Sequence, residues 1–396
     1  MRPNDAQRLT AALTADPHGT NARLREEGPV HRVTGPDGRP AWLVTRYDDV
    51  RRALADPRLS LDRRNALPGN YAGFSLPPAL DANLLNMDPP DHTRVRRLVA
   101  RAFTPGRVEK LRAPVTDVAG ELLDAVAPRG RMDLLAEYAT PLPITVICDL
   151  LGVPRADRVD FRAWTDALIT PDPERPHLMK EAVAAMMGFF TGLIEAKRAD
   201  PGDDLLSDLI AVQENGDSLS RDELTSLAFL ILFAGYENTV HLIANAVLAL
   251  LDHPALLHEL RANPDGLEAA VDELSRWEGP AALAIRRFPL EDMEIGGTLV
   301  PAGETVLLSL ASANRDPRQF RDPDRLDLRR DRSGQLALGH GIHYCLGAPL
   351  ARMETAIALR VLLERCEKLE LDVPRSELRW RPAMRARGLI SLPVRW

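Results

Sequence analysis

The stretch from Ser218 to His253, "SLSRDELTSLAFLILFAGYENTVHLIANAVLALLDH", constrains this chain more than any other. It opens with Ser220 and, three residues on, Glu223. That is the pattern of a capping box, in which hydroxyl and carboxylate each satisfy a backbone N–H at the start of a helix. Beyond it the stretch is apolar on most sides, and such a helix has to be buried. If continuous it is about 48 Å long at 1.5 Å per residue, so it crosses the whole molecule. Its longest apolar run, "LAFLILFAG", is about half of a membrane span.

The rest of the chain reads as a mostly helical wrapping. Helical spacing recurs in "DDVRRALAD", "HTRVRRLVARAF", "VTDVAGELLDAVA", "ITVICDLLG", "EAVAAMMGFFTGLIEAKRAD" and "GLEAAVDELSRW". Short strands are expected in "PVHRV", "AWLVT" and the terminal "GLISLPVRW", and in "MEIGGTLVPAGETVLLSL", where Gly296–Gly297 makes a hairpin turn. The 32 prolines are spread throughout and keep the elements short. The expected fold class is mainly α with a minor β-sheet region, in one domain over residues 1–396.

Charge and cysteine content narrow the function. Asp and Glu outnumber Lys and Arg by 57 to 50, a net −7, which argues against a nucleic-acid binder. Cys148, Cys345 and Cys366 are scattered and odd in number, so they make no disulfide framework and favour a reducing compartment. The N-terminus, "MRPNDAQRLTAAL", lacks the apolar core of a signal peptide. The expectation is a soluble, cytoplasmic protein with no membrane partner.

Cys345 lies in an unusual loop, "LALGHGIHYCLGAPLARME". Gly339, Gly341 and Gly347 surround it and let the backbone approach a bulky group. A helix starts directly after, so the sulfur sits at the positive end of a helix dipole, where backbone N–H groups favour thiolate. Four readings compete with a loop that presents an anionic sulfur to something flat. A dinucleotide GxGxxG fails at Tyr344. A zinc site from His340, His343 and Cys345 has the wrong spacing. A cysteine nucleophile needs a histidine partner at an unknown distance. A tight turn around a buried, inert cysteine is the blandest.

The segment "LGHGIHYCLGAPLAR", Leu338 to Arg352, resembles the haem-binding signature of the cytochromes P450, FGxGxHxCxGxxLAR. The one departure is Leu338, where the family usually has phenylalanine; leucine keeps an apolar cover and loses the ring beside the sulfur. The resemblance implies the P450 fold, with haem b between the long helix and the helix after the cysteine, and Cys345 as the axial iron ligand with Gly347 beside it.

Other motifs follow in the family's order, from about residue 29 to the C-terminus. "ELSR" matches the family's ExxR pair as Glu273 and Arg276, and "DPDRL" supplies Arg325 as the arginine expected to complete that network. His92 and Arg96 in "DHTRVRRLV", Arg287 in "RRFPLED" and His343 match the family's partners of the haem propionates; Arg286 is the neighbour that Arg287 has to be told from. "AGYENT" resembles the oxygen-binding AGxET segment, with Ala234 and Gly235 leaving room against the helix and Glu237 in the proton-relaying place. The family's threonine is here Asn238, with Thr239 one further on. Asparagine cannot pass a hydroxyl proton, and Thr239 points about 100° away on a regular helix. Leu389 in the terminal strand, with Phe233 and Ala234, is expected to touch substrate. So are the stretches 61–90 and 169–178.

The resemblance implies a monooxygenase that inserts one oxygen atom into an apolar small molecule such as a macrolide, polyketide, steroid or terpene. With no flavin or nicotinamide domain in 396 residues, electrons are expected from a ferredoxin and its reductase, docking on Arg94, Arg97, Arg101 and Lys110. The protein is expected to be a monomer. Asn238 keeps a second reading open, a peroxide-using or substrate-coupling haem-thiolate enzyme. A non-enzymatic haem carrier is the third.

Overall fold

The computed structural model describes residues 3–71, 80, 83–169, 175–214 and 216–396. Its axis is one helix, Arg221–Leu251. Ser220 accepts from Glu223 N at 3.2 Å and Glu223 Oε2 accepts from Ser220 N at 2.8 Å, so both halves of the capping box form. The 31 residues make a rod about 46 Å long.

Apolar residues all round this rod meet several neighbours, three of them helices that also reach toward the site. Helix Pro141–Leu151 brings Leu142 and Ile147, Leu267–Glu278 brings Val271 and Leu274, and Ala348–Arg365 brings Ala358, Leu359 and Leu362. These side chains share one buried cluster with Leu232, Ile243 and Val247 of the rod. Truncating such a residue, Ile243→Ala for example, costs about 2–5 kcal/mol.

The β-structure is small and lies to one side. Val30–Thr34 pairs antiparallel with Pro40–Val44, and Val306–Leu308 adds to the second strand in parallel, Leu307 opposite Leu43. Met293–Ile295 and Thr298–Val300 form the expected hairpin. Its turn residues Gly296 and Gly297 have φ of 55° and 80°, the left-handed pair that a tight hairpin turn demands. At the C-terminus only Pro393–Arg395 joins a ladder, against Arg131–Asp133 and Glu370–Leu371. The strand expected over "GLISLPVRW" is therefore shorter.

Two helices frame the site. Asp91–Ala102 buries His92, Val95, Leu98, Val99 and Ala102 on one face, and Ala348–Arg365 starts three residues after Cys345. Glu354 of the latter is 3% exposed, with one carboxyl oxygen lacking any hydrogen-bond partner.

Candidate active site

The cysteine loop is closed by its own backbone. Cys345 N donates to Leu338 O at 2.9 Å and Tyr344 N to Gly341 O at 3.1 Å. Gly341, at φ 75°, lies where a Cβ would press against Leu54 O at 3.1 Å, so only glycine fits. The Gly347 N–H donates to the sulfur, and the guanidinium groups of Arg96 and Arg352 add positive charge. Burial nevertheless outweighs these and pushes the Cys345 thiol above its ordinary value. The turn and the helix dipole favour thiolate as expected, and burial in the loop opposes them. A bound metal cation is what deprotonates a coordinating thiol outright.

Four cationic or imidazole side chains converge on this loop. The rings of His92 and His343 lie 4.1 Å apart. Arg96 donates from Nη2 to Tyr344 O at 2.7 Å. Arg287 is 2% exposed, fixed by mutual backbone bonds with Val306 at 2.9 Å. Both ring nitrogens of His92 and Nη1 of Arg287 are buried without a partner. Burial, then Arg96, pushes His92 down to about 4. Burial, then His92, pushes His343 down to about 3. Arg287 falls to about 10 for the same first reason. Arg286 instead donates to Leu85 O and Asn86 Oδ1. Geometry thus separates the two adjacent arginines.

The long helix opens only near its middle. Phe233 is 41% exposed and stacked on Phe229 at 5.9 Å. Gly235 and Asn238 are exposed and Ala234 half-buried, whereas Tyr236 and Thr239 face inward. Asn238 Nδ2 donates to Ala234 O at 3.1 Å, and Thr239 Oγ1 to Gly235 O at 2.7 Å. Glu237 Oε1 accepts from Arg381 Nη1 at 2.8 Å. Among the described residues no hydrogen bond joins Glu237 or Asn238 directly to the cysteine loop.

Residues 144–387 match the family described as Cytochrome P450. Cytochrome P450 monooxygenase PikC of Streptomyces venezuelae is 51% identical over 99% of this chain and 94% of its own. The vitamin D(3) 25-hydroxylase of Pseudonocardia autotrophica is 46% identical, over 96% of this chain and 93% of its own. The ligand-free P450 monooxygenase TamI superposes with a TM-score of 0.90 at 46% identity, over 97% of this chain and 92% of its own.

The chain belongs to the cytochrome P450 family.

It is a P450 monooxygenase with the P450 fold, and its cofactor is haem. The residues fit that group. A sulfur at a glycine-cleared turn meets the need for an axial ligand. The orphaned polar atoms of His92 and Arg287 meet the need of two propionates for donors.

Two sequence expectations for this P450 are corrected. Arg325 does not complete the Glu273–Arg276 network with its side chain. Arg276 grips Glu273 through Nε at 2.6 Å and Nη2 at 2.8 Å. The second arginine on Glu273 Oε1 is Arg330, through Nε at 3.2 Å. Arg325 follows a turn at Asp322, where φ is 47°, and its side chain is exposed; only its carbonyl accepts from Arg276 and Arg330. Leu389 is 0% exposed and packed in the main core, so it does not face a substrate space. Its neighbour Ile390, at a bend, is turned outward instead, 58% exposed. Parts of the expected substrate stretches, 72–79, 81–82 and 170–174, lie outside the described residues. Sequence reasoning missed Arg330, Arg381 and His241. For Arg330 and Arg381 the only signal is an arginine among many, and for His241 its spacing of four from Glu237.

Proposed function

We propose that this P450 inserts one oxygen atom into a C–H or C=C bond of a macrolide or polyketide, using haem b and electrons from a ferredoxin and ferredoxin reductase. The observation that carries the substrate class is the open, aromatic middle of the long helix, Phe229, Phe233 and Ala234. It offers an apolar face with one amide, Asn238, for a large and sparsely polar molecule. The names of relatives agree in kind: 6-deoxyerythronolide B hydroxylase is 43% identical over 96% of this chain, and TamI has been solved with tirandamycin C.

Bound haem supplies dioxygen activation, and thiolate ligation favours O–O cleavage. The chain's own residues do the rest. Cys345 ligates iron, with the Gly347 N–H moderating its charge. His92, Arg96, Arg287 and His343 hold the propionates. Ala234 and Gly235 leave space for oxygen along the helix. Glu237 moves protons, and Asn238 orients rather than supplies them, because an amide has no hydroxyl proton to pass. Glu273, Arg276 and Arg330 keep the scaffold behind the loop rigid.

For electron delivery, Arg97, Arg101 and Lys110 are exposed members of the expected docking patch and Arg94 is half-buried. Arg94 is engaged by Asp217 and Glu223, and Lys110 by Asp203. We place the enzyme in the cytoplasm as a monomer of one domain.

The test is a titration of the ferric holoprotein, watching the Soret band. The panel is 6-deoxyerythronolide B, mycinamicin IV, tirandamycin C, vitamin D(3) and myristic acid. A high-spin shift with the polyketides supports the reading. A shift confined to vitamin D(3) or myristic acid contradicts it. Product formed with peroxide alone, and none with dioxygen and electrons, favours the peroxide-using reading that Asn238 motivates.

A further inference from the structure

The long helix carries Glu237, His241 and Asn245 at successive intervals of four, which puts all three on one face of the rod. All three meet one element, the segment 380–389. Arg381 Nη1 lies 2.8 Å from Glu237 Oε1 and 3.1 Å from His241 Nε2. Asn245 Nδ2 donates to Arg387 O at 2.9 Å and Glu278 O at 3.1 Å. The segment is folded back on itself, Arg381 N bonding Gly388 O at 2.8 Å and Trp380 bridging Leu389. At its return, a Cβ on Gly388 would fall 2.3 Å from His241 Nδ1. The imidazole is seated against bare backbone, and shape as well as bonding fixes the hairpin on the helix.

The geometry sets the protons. Arg381 is a pure donor, so His241 Nε2 has to be the bare nitrogen of a neutral ring, with its proton on Nδ1. A protonated ring would point an N–H at a guanidinium. His241 is 3% exposed and cannot swing away. It therefore acts as a fixed stop that aims Arg381 at Glu237. The Glu237 and Arg381 side chains themselves stay 28% and 25% exposed. Water can reach the carboxylate, but the guanidinium decides which way it points.

We infer that Arg381 is a positioning residue. Held by His241, it orients the Glu237 carboxylate and so controls the rate at which Glu237 passes protons to the oxygen-binding middle of the helix. This rests on the proton role given to Glu237 above.

The experiment needs no organic substrate. The holoenzyme is reduced through a surrogate ferredoxin and reductase, and dioxygen consumption is followed in H2O and in D2O. Glu237→Gln defines the signature of lost proton delivery, a slower rate with a larger solvent isotope effect. Arg381→Gln should reproduce it, at about 10- to 100-fold in rate, the scale of a misplaced catalytic group. Arg381→Lys should recover part of the rate. A separate readout is the 15N spectrum of the histidines in the ferrous carbon monoxide form. His241 should show an unprotonated Nε2 in the wild type and lose that preference in Arg381→Gln. Should Arg381→Gln fail to load haem, His241→Asn removes the stop instead and should give a weaker form of the same signature.

If Glu237→Gln shows the signature and Arg381→Gln, or the His241→Asn substitute, does not, the inference is overturned while the role of Glu237 stands. If Glu237→Gln is itself silent, the proton role of Glu237 fails, and this inference with it. Loss in Arg381→Gln with no recovery in Arg381→Lys and no change at His241 would mean a merely structural role.

Discussion

Asn238 and Thr239 are adjacent in the chain and opposite in environment. The first is exposed and donates to Ala234 O; the second is 5% exposed and donates to Gly235 O at 2.7 Å. The hydroxyl of Thr239 is committed to the helix backbone and turned inward, so it does not replace the threonine usual at position 238. Asn238→Thr should raise the share of consumed electrons that ends in product rather than hydrogen peroxide. Thr239→Val should leave that share unchanged and cost about 1 kcal/mol of stability, the worth of one hydrogen bond. Equal peroxide yields from wild type and Asn238→Thr would show that position 238 does not govern proton delivery.

The network behind the cysteine loop separates two nearby arginines. Arg276 and Glu273 are both nearly inaccessible, with side chains 1% and 3% exposed. Glu273→Gln leaves a buried guanidinium without its counter-charge, and breaking such a pair costs about 3–5 kcal/mol. Arg330→Ala should destabilise and lower haem content in the same sense. Arg325→Ala should stay within about 0.5 kcal/mol, as exposed substitutions do. Denaturant midpoints and haem-to-protein ratios of the three variants check this ordering.

Glu354 gives a pH dependence whose sign can be worked out. Burial alone raises its carboxyl from 4.5 to about 8. Between those values the unfolded chain has released the proton and the folded chain keeps it. Stability contributed here is therefore lost as pH rises from about 4.5 and is fully lost above about 8. Glu354→Gln should be more stable than wild type at pH 8, with the gap closing toward pH 4.5. Thermal midpoints across that range test it. A gap that is constant with pH would show that Glu354 does not stay protonated in the fold.

Docking of an acidic electron donor should depend on four basic residues, Arg94, Arg97 and Arg101 on the helix Asp91–Ala102 and Lys110 beyond it. Arg97→Glu and Arg101→Glu should slow the first electron transfer, most at low ionic strength. Lys110→Glu should slow it too and also repel Asp203, 3.1 Å away. Arg94→Glu should act on stability as well, through repulsion from Asp217 and Glu223. Stopped-flow rates that do not change for Arg97→Glu and Arg101→Glu would remove this face from electron delivery.

Much of the scaffold was legible in the sequence because its signals are local. The Ser220–Glu223 box, the Gly296–Gly297 turn and the Gly339–Gly347 loop each depend on residues within nine positions of one another. What was not legible depends on distance in the chain or on a single backbone angle. Arg325 and Arg330 lie in the same arginine-rich string, and the turn at Asp322 decides which one reaches Glu273. Leu389 and Ile390 are both apolar, and the fold decides which is covered: Leu389 bridges Trp380 while Ile390 lies at a bend. Arg381 meets Glu237 across 144 positions, with nothing in either local sequence to announce the pairing. The Cys345 loop is legible only in part. Dipole and glycines are visible in sequence, but the burial that opposes them is a property of the folded loop.

The ferrous carbon monoxide spectrum of purified holoprotein, wild type beside Cys345→Ser, tests the central assignment most directly. Cys345 as iron ligand predicts the long-wavelength Soret band of thiolate ligation in the wild type and its loss in Cys345→Ser. A thiolate band that persists in Cys345→Ser would contradict it.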